Sequence, residues 1–186
     1  MKSGPIFTVP NQVTFLRLGF LPFFIMVIYY DRYDWALFLL MLAAASDALD
    51  GLLARRLNQK TALGAYLDPI ADKLLLSSSF FILALKGKIV WWLAILVLGR
   101  DVLILVTAAV ILAVAGYRAL PPSIYGKLTT GSQIVLIVVA ISVEVFQYPT
   151  LYWLETRGSI VVAALTIFSG IHYSVIIARK LSGALS

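Results

Sequence analysis

Six apolar runs, each long enough to cross a membrane, make up most of this chain. They are about Val13–Tyr30, Trp35–Leu57, Gly64–Leu85, Ile89–Gly116, Ile124–Phe146 and Leu151–Arg179. About 20 apolar residues of helix suffice for one crossing. The breaks are short: Asp31-Arg32-Tyr33-Asp34, Asn58–Leu63, Lys86-Gly87-Lys88, Tyr117–Ser123 with Pro121-Pro122, and Gln147–Pro149. Short connections make consecutive helices antiparallel neighbours. The pattern predicts an all-α polytopic membrane protein, a bundle of six transmembrane helices forming a single domain over residues 1–186. Pro22 is a candidate kink in the first helix.

Composition narrows the class further. The chain is 61% hydrophobic and 13% charged, against about half and a quarter in soluble domains. It has no cysteine, which excludes disulfides, thiolate catalysis and zinc–thiolate sites. Met1–Pro10 holds one lysine and two prolines, and no small-residue cleavage site follows the first apolar run, so no cleavable signal peptide is expected. No internal repeat or low-complexity tract is visible. The net charge is +6, but the basic residues are scattered between apolar runs. Anionic headgroups and phosphorylated substrates fit that distribution, and nucleic acid does not.

Orientation follows from the basic residues that flank the runs. With the N-terminus inside, the inner side carries Lys2, Arg55, Arg56, Lys60, Arg118, Lys127, Arg179 and Lys180, and the outer side Arg32, Lys86, Lys88 and Arg157. Both termini are therefore expected to face the cytoplasm, in an inner (cytoplasmic) membrane. Arg17, Lys73 and Arg100 lie within the runs.

The second and third runs carry four aspartates where carboxylates are costly. They stand in Asp47-x-x-Asp50-Gly51-x-x-Ala54-Arg55, eight residues, Gly64-x-x-x-Asp68-x-x-x-Asp72. Each costs about 2.5–3.5 kcal/mol at a helix centre, on the order of 10 kcal/mol together. On a helix Asp47, Asp50 and Ala54 project within about 60° of one another, and Gly64, Asp68 and Asp72 form an i, i+4, i+8 stripe. If the two helices pack antiparallel with the stripes facing, four carboxylates converge near the cytoplasmic side. Unpaired, they would repel and take up protons. Two divalent cations, Mg²⁺ or Mn²⁺, would make them ligands of the all-oxygen kind such ions prefer. A metal pair of this type serves phosphoryl and phosphodiester displacement. Gly51, Ala54 and Gly64 would leave a slot for a planar or phosphate-bearing group, and Arg55 offers a phosphate its guanidinium fork.

This run resembles the signature of the CDP-alcohol phosphatidyltransferases, Asp-x2-Asp-Gly-x2-Ala-Arg-x8-Gly-x3-Asp-x3-Asp, at every fixed position. Pro10-Asn11-x-x-Thr14-x-x-Arg17 resembles the family's first-helix opening, and Asp68-Pro69-Ile70-Ala71-Asp72-Lys73 its branch acting on glycerol-type acceptors. The resemblance implies a homodimer of six-helix subunits with the active site at the cytosolic interface. It implies metal binding by Asp47, Asp50, Asp68 and Asp72, with Asp72 also the general base. Asp47, Gly51, Ala54, Arg55 and Gly64 would frame the CDP group. The acceptor hydroxyl would attack the lipid-side phosphorus of CDP-diacylglycerol, and CMP would leave.

Two acceptors remain. In the resemblance, phosphatidylglycerophosphate synthases carry Arg-Glu in the fourth helix, a second Arg eight residues on, and Gly-Lys-x-Lys-Thr before the fifth. Here the positions read Arg100-Asp101, Ala108 and Gly126-Lys127-Leu128-Thr129-Thr130. Two basic residues are thus replaced by Ala108 and Thr129. Arg100 and Lys127 are left as the acceptor-binding cations, and charge matching favours the singly charged phosphatidylglycerol, as in cardiolipin synthases. Glycerol 3-phosphate is the alternative. Asp101 points about 100° away from Arg100, so the arginine reads as unpaired.

Other classes fit less of the chain. A cation or proton-coupled transporter would use the aspartates, but it needs broken helices or a repeat and has no role for Arg55. His172, the only histidine, reads as packed or interfacial. Trp91-Trp92 read as interfacial belt and Ser77-Ser78-Ser79 as packing. Glu144 and Glu155 read as solvated helix ends, and Arg179 and Lys180 as an interfacial anchor.

Overall fold

The computed structural model is all-helical, and among the described residues it contains no strand. The backbone is described for residues 9–57, 62–115 and 124–184, and side chains for residues 18–45, 71–106 and 124–175. Six helices follow in order: α1 Val9–Tyr29, α2 Tyr33–Leu57, α3 Ala62–Leu85, α4 Trp91–Ala115, α5 Ile124–Phe146 and α6 Pro149–Ala184. They match the six apolar runs, and α5 has the expected bounds. Pro22 lies inside α1, which continues through it as one helix.

Three turns are built alike, because each helix ends on a residue in the left-handed region: Asp31 (φ 59°), Gly87 (φ 69°) and Gln147 (φ 53°). After α1, the Arg32 N–H donates to the Val27 carbonyl at 2.8 Å and the Asp31 N–H to Ile28 at 3.0 Å. After α3, Lys88 donates to Leu83 at 2.8 Å and Gly87 to Ala84 at 3.0 Å. Both are Schellman caps, which satisfy carbonyls that a helix end would strand. Gln147 closes α5 with a single bond to Val143 at 2.9 Å. Charge pairs tie these turns together at one end of the molecule. Lys86 Nζ reaches Asp31 at 2.7 Å and the Tyr29 carbonyl at 3.1 Å, and Lys88 Nζ reaches Glu144 at 2.6 Å. Glu144 is thus paired, and the expectation that it is merely solvated is corrected. The Lys86 ammonium holds the Asp31 carboxyl below its ordinary value, with Tyr33 donating a second bond. Stability from this tie is therefore present above the ordinary carboxylate range and is lost as pH falls through the lowered value.

The helices form a closed ring. α1 packs on α2 and α3, α3 on α4, α4 on α6, α6 on α5, and α5 on α2, with α5 also reaching α3 across the middle. Phe24, Ile28, Phe80, Leu83, Leu93, Val97, Ile137 and Ile141 fill the core. Among the described residues, α2 and α3 do not pack directly on one another. The stripes expected to face one another, Asp47 to Ala54 and Gly64 to Asp68, have side chains outside the described residues, and further along the two helices line one cleft together. α1 and α5 each contact both of them.

Large apolar side chains also cover the outside, among them Phe23, Phe38, Ile95, Val135 and Ile171, each more than 40% exposed. Among the described residues, two helices are long and apolar enough to cross a membrane, Ile124–Phe146 and Pro149–Val175.

The turn account makes a prediction at two glycines. Gly87→Ala should cost about 1 kcal/mol, because a Cβ disfavours the left-handed region. Gly19→Ala lies in α1 with open space around its Cβ position, and should be neutral or up to about 1 kcal/mol stabilising. Thermal unfolding midpoints in detergent decide it, and equal shifts for both variants would contradict the cap assignment.

Candidate active site

Two consecutive residues of α3 open into two different cavities, as the 100° step between helical neighbours allows. Asp72 lines a cleft of about 200 Å³ between α2, α3 and α5. Its other walls are nearly all apolar, with Leu40, Ala43 and Ala44 on one side and Leu75, Leu76 and Ile137 on the others. The alanines of α2 leave the space. Lys73 lines a second cavity, of about 440 Å³, together with Arg100 and Ile104 of α4, Lys127 of α5 and Tyr173 of α6. Thr130 and Ile134 line both, so one face of α5 is their common wall.

Behind the second cavity lies a buried ion cluster. Arg100 is 7% exposed and Asp101 3%. Arg100 Nη1 donates to Asp101 Oδ1 at 2.8 Å, Arg100 Nη2 to Ser169 Oγ at 3.1 Å, and Lys73 Nζ to the same Asp101 Oδ1. One carboxylate thus joins α3 to α4, and Arg100 carries the link on to α6. Arg100 is therefore paired, contrary to the expectation from backbone direction, because a long guanidinium can fold back onto its own neighbour. The Asp101 Oδ2 and Arg100 Nε atoms are buried and have no hydrogen-bond partner among the described residues. Among the described residues, Lys73, Arg100 and the exposed Lys127 against Asp101 give the cavity region a net charge of +2.

Thr129 does not face this cavity. Its side chain is fully buried, with its hydroxyl 2.8 Å from the Tyr125 carbonyl and 3.2 Å from that of Leu165 in α6. The comparison of position 129 with a lysine therefore does not report on the cavity, and Thr130 is the threonine at its wall. His172 packs against Tyr125 and Phe168, with ring centroids 4.8 and 6.5 Å away, in keeping with the packed reading.

The remaining expected site residues are placed by backbone alone. Asp47, Asp50, Gly51, Ala54 and Arg55 lie on α2, and Gly64 and Asp68 on α3. Their side chains, with those of Ala108, Arg179 and Lys180, lie outside the described residues. Sequence reasoning missed Lys73 and Asp101 as partners. The available signal was a cation and an acid within apolar runs, where each needs a counter-charge.

The profile of the CDP-alcohol phosphatidyltransferases matches residues 7–176. The chain belongs to this family. A Mycobacterium tuberculosis protein named "Probable phosphatidylglycerophosphate synthase" is 33% identical, over 96% of this chain and 85% of its own length. A Streptomyces coelicolor protein named "Cardiolipin synthase (CMP-forming)" is 36% identical, over 70% of this chain and 63% of its own. A Pseudomonas fluorescens protein named "CDP-diacylglycerol--glycerol-3-phosphate 3-phosphatidyltransferase" is 38% identical, over 52% of each. Relatives named as phosphatidylglycerophosphate synthase and as cardiolipin synthase thus both match this phosphatidyltransferase.

The ion cluster can be tested by removing its one acid. Asp101→Asn leaves Lys73 and Arg100 facing each other without a counter-charge, and should cost roughly 3 kcal/mol, as breaking buried pairs does. The thermal unfolding midpoint should fall accordingly, with Asp101→Glu intermediate. An unchanged midpoint in Asp101→Asn would show that the cluster does not hold the three helices together.

Proposed function

We propose that this chain is a six-span integral-membrane phosphatidyltransferase, a single domain working as a homodimer, with its site and both termini facing the cytoplasm. It moves the phosphatidyl group of CDP-diacylglycerol to phosphatidylglycerol, giving cardiolipin and CMP. The observation that carries this reading is the pair of cavities divided by Thr130 and Ile134. An apolar cleft ending at a carboxylate suits a lipid-linked donor, and the basic cavity beside it suits the phosphate of an acceptor.

Asp47, Asp50, Asp68 and Asp72 would hold two divalent cations, Mg²⁺ or Mn²⁺. The donor set fits hard ions, being all carboxylate with two acids on each of two helices, and Asp72 opens into a cleft with space beside it. When bound, such ions spread the negative charge developing on the transferred phosphoryl group. The chain's own groups do the rest. Gly51, Ala54 and Gly64 leave room for the CDP moiety, Asp47 borders it, and Arg55 grips its phosphates with two parallel bonds. Lys73, Arg100 and Lys127 hold the acceptor phosphate. Asp72 takes the proton of the acceptor hydroxyl as its oxygen bonds to the lipid-side phosphorus. The bond from that phosphorus to the bridging oxygen breaks, and CMP leaves with the electron pair.

Glycerol 3-phosphate is the second reading. It is favoured by the near full-length match to the Mycobacterium tuberculosis protein and by a net charge of +2 that equals a dianion's. Detergent-purified protein with Mn²⁺, labelled CDP-diacylglycerol and either acceptor separates the two. Cardiolipin should form from phosphatidylglycerol, with little phosphatidylglycerophosphate from glycerol 3-phosphate, and EDTA should stop CMP release. The reverse product pattern would transfer the assignment to glycerol 3-phosphate. Full activity in metal-stripped protein would remove the metal pair.

Asp72→Asn should lower turnover about 100-fold or more, since an amide cannot take the proton. CDP-diacylglycerol binding should persist, because three carboxylates remain. Turnover at a tenth of the unsubstituted rate or above would require another base.

A further inference from the structure

Arg157 is a cation that neither cavity accounts for. It stands eight residues beyond Pro149, the first residue of α6, and so lies about 12 Å along that helix. The Cβ position of the adjacent Gly158 is 3.2 Å from Leu136 Cδ1. Leu136 in turn lies about 15 Å back from the end of α5. With α5 and α6 crossing the membrane, Arg157 lies on the membrane side of the turn that joins them, near the outer headgroup level expected for it from the sequence. It is exposed, and no ion pair is formed by it among the described residues. Its Cζ lies 5.8 Å from the centre of the Trp153 ring. Glu155, the nearest acid in sequence, is about 200° round the helix, on the side of Glu144 and Lys88. A guanidinium at the membrane border, with its stem on apolar surface, is free to meet the phosphate of a lipid headgroup.

Beside Arg157 runs a groove of about 440 Å³ between α5 and α6. Val135, Val139, Leu154 and Val161 form apolar walls, and Gly158, lacking a side chain, lets Leu136 of α5 close the floor against α6. The groove shares Gly131 alone with the basic cavity and no residue with the Asp72 cleft. We propose that it is a binding site for an anionic phospholipid, one acyl chain lying in the groove and the phosphate paired with Arg157. A flat apolar chain fits the walls, and the headgroup phosphate matches the guanidinium fork in charge and geometry. A zwitterionic lipid fits the groove equally but has no net negative charge to offset Arg157.

Quenching of tryptophan by brominated acyl chains tests this without reading catalysis. Trp35→Phe, Trp91→Phe and Trp92→Phe together leave Trp153 as the only tryptophan. The protein is placed in vesicles containing brominated phosphatidylserine or brominated phosphatidylcholine. Phosphatidylserine is neither donor, acceptor nor product in the proposed reaction, so a preference for it does not arise at the active site. Half-quenching should need about five-fold less of the anionic lipid, the gain typical of one basic residue near a membrane surface. Arg157→Gln should remove the preference and Arg157→Lys should keep most of it. CMP release by Arg157→Gln at the unsubstituted rate separates a lost site from a lost fold. Equal quenching by the two lipids would overturn the proposal, as would a preference that survives Arg157→Gln. Absence of quenching by either lipid, as a second copy seated on the groove would cause, overturns it too.

Discussion

A carboxylate buried inside an apolar bundle has to be met by positive charge, and at Asp101 that requirement sets the rotation of the helices around it. Asp101 is 3% exposed and accepts from both Lys73 and Arg100. Leaving such an acid unpaired costs several kcal/mol, so its partners are held firmly. Lys73 is thereby drawn toward α4. Because neighbouring side chains on a helix differ by 100°, Asp72 must then open away from α4, into the cleft bordered by α2 and α5. The division of labour between two cavities follows from one ion cluster that lines neither cavity's floor with its own acid. The bond from Arg100 to Ser169 extends the same constraint to α6.

Helix number and bounds were legible in the sequence because the turns announce themselves. Asp31, Gly87 and Gln147 all take up the left-handed conformation within breaks that are also the most polar parts of the chain. Lateral order was not legible. A helix that is apolar all round, facing both core and exterior, has no stripe to say which side is inward. Phe24 is buried and Phe23 beside it is 61% exposed, though nothing in their chemistry separates them. The short connection from α2 to α3 suggested direct pairing but not that α1 packs on both. A connection's length limits how far apart two helix ends lie, but not what else packs on the helices further along.

Of the four aspartates whose spacing suggested a shared site, Asp72 opens into a cleft, and the other three have side chains outside the described residues. The candidate site was not legible where the outcome depends on reach or rotation. Arg100 and Asp101 diverge at the backbone and still meet through the length of the arginine. Thr129 and Thr130 are chemically identical neighbours. α6 takes the first, through the Leu165 carbonyl, and leaves the second at the cavity wall. No motif comparison separates such a pair until the partner helix is in place.

The same geometry bears on the acceptor through where the charge sits, beyond how much of it there is. The cavity's net +2 divides into two unequal parts. Lys127 is exposed, so its field is screened within about 8 Å at physiological ionic strength. Lys73, Arg100 and Asp101 form a shielded group whose net charge is +1, and screening reaches it far less. At low salt the cavity presents both charges and matches a dianion. Under cellular salt the effective match is to a single negative charge, held where two donors converge on one acid. A phosphodiester carries that charge, and a phosphomonoester brings a second one that only the screened lysine can meet. The preference proposed for phosphatidylglycerol over glycerol 3-phosphate is thus a consequence of burial, with Asp101 neutralising one of the two cations that would otherwise favour the dianion.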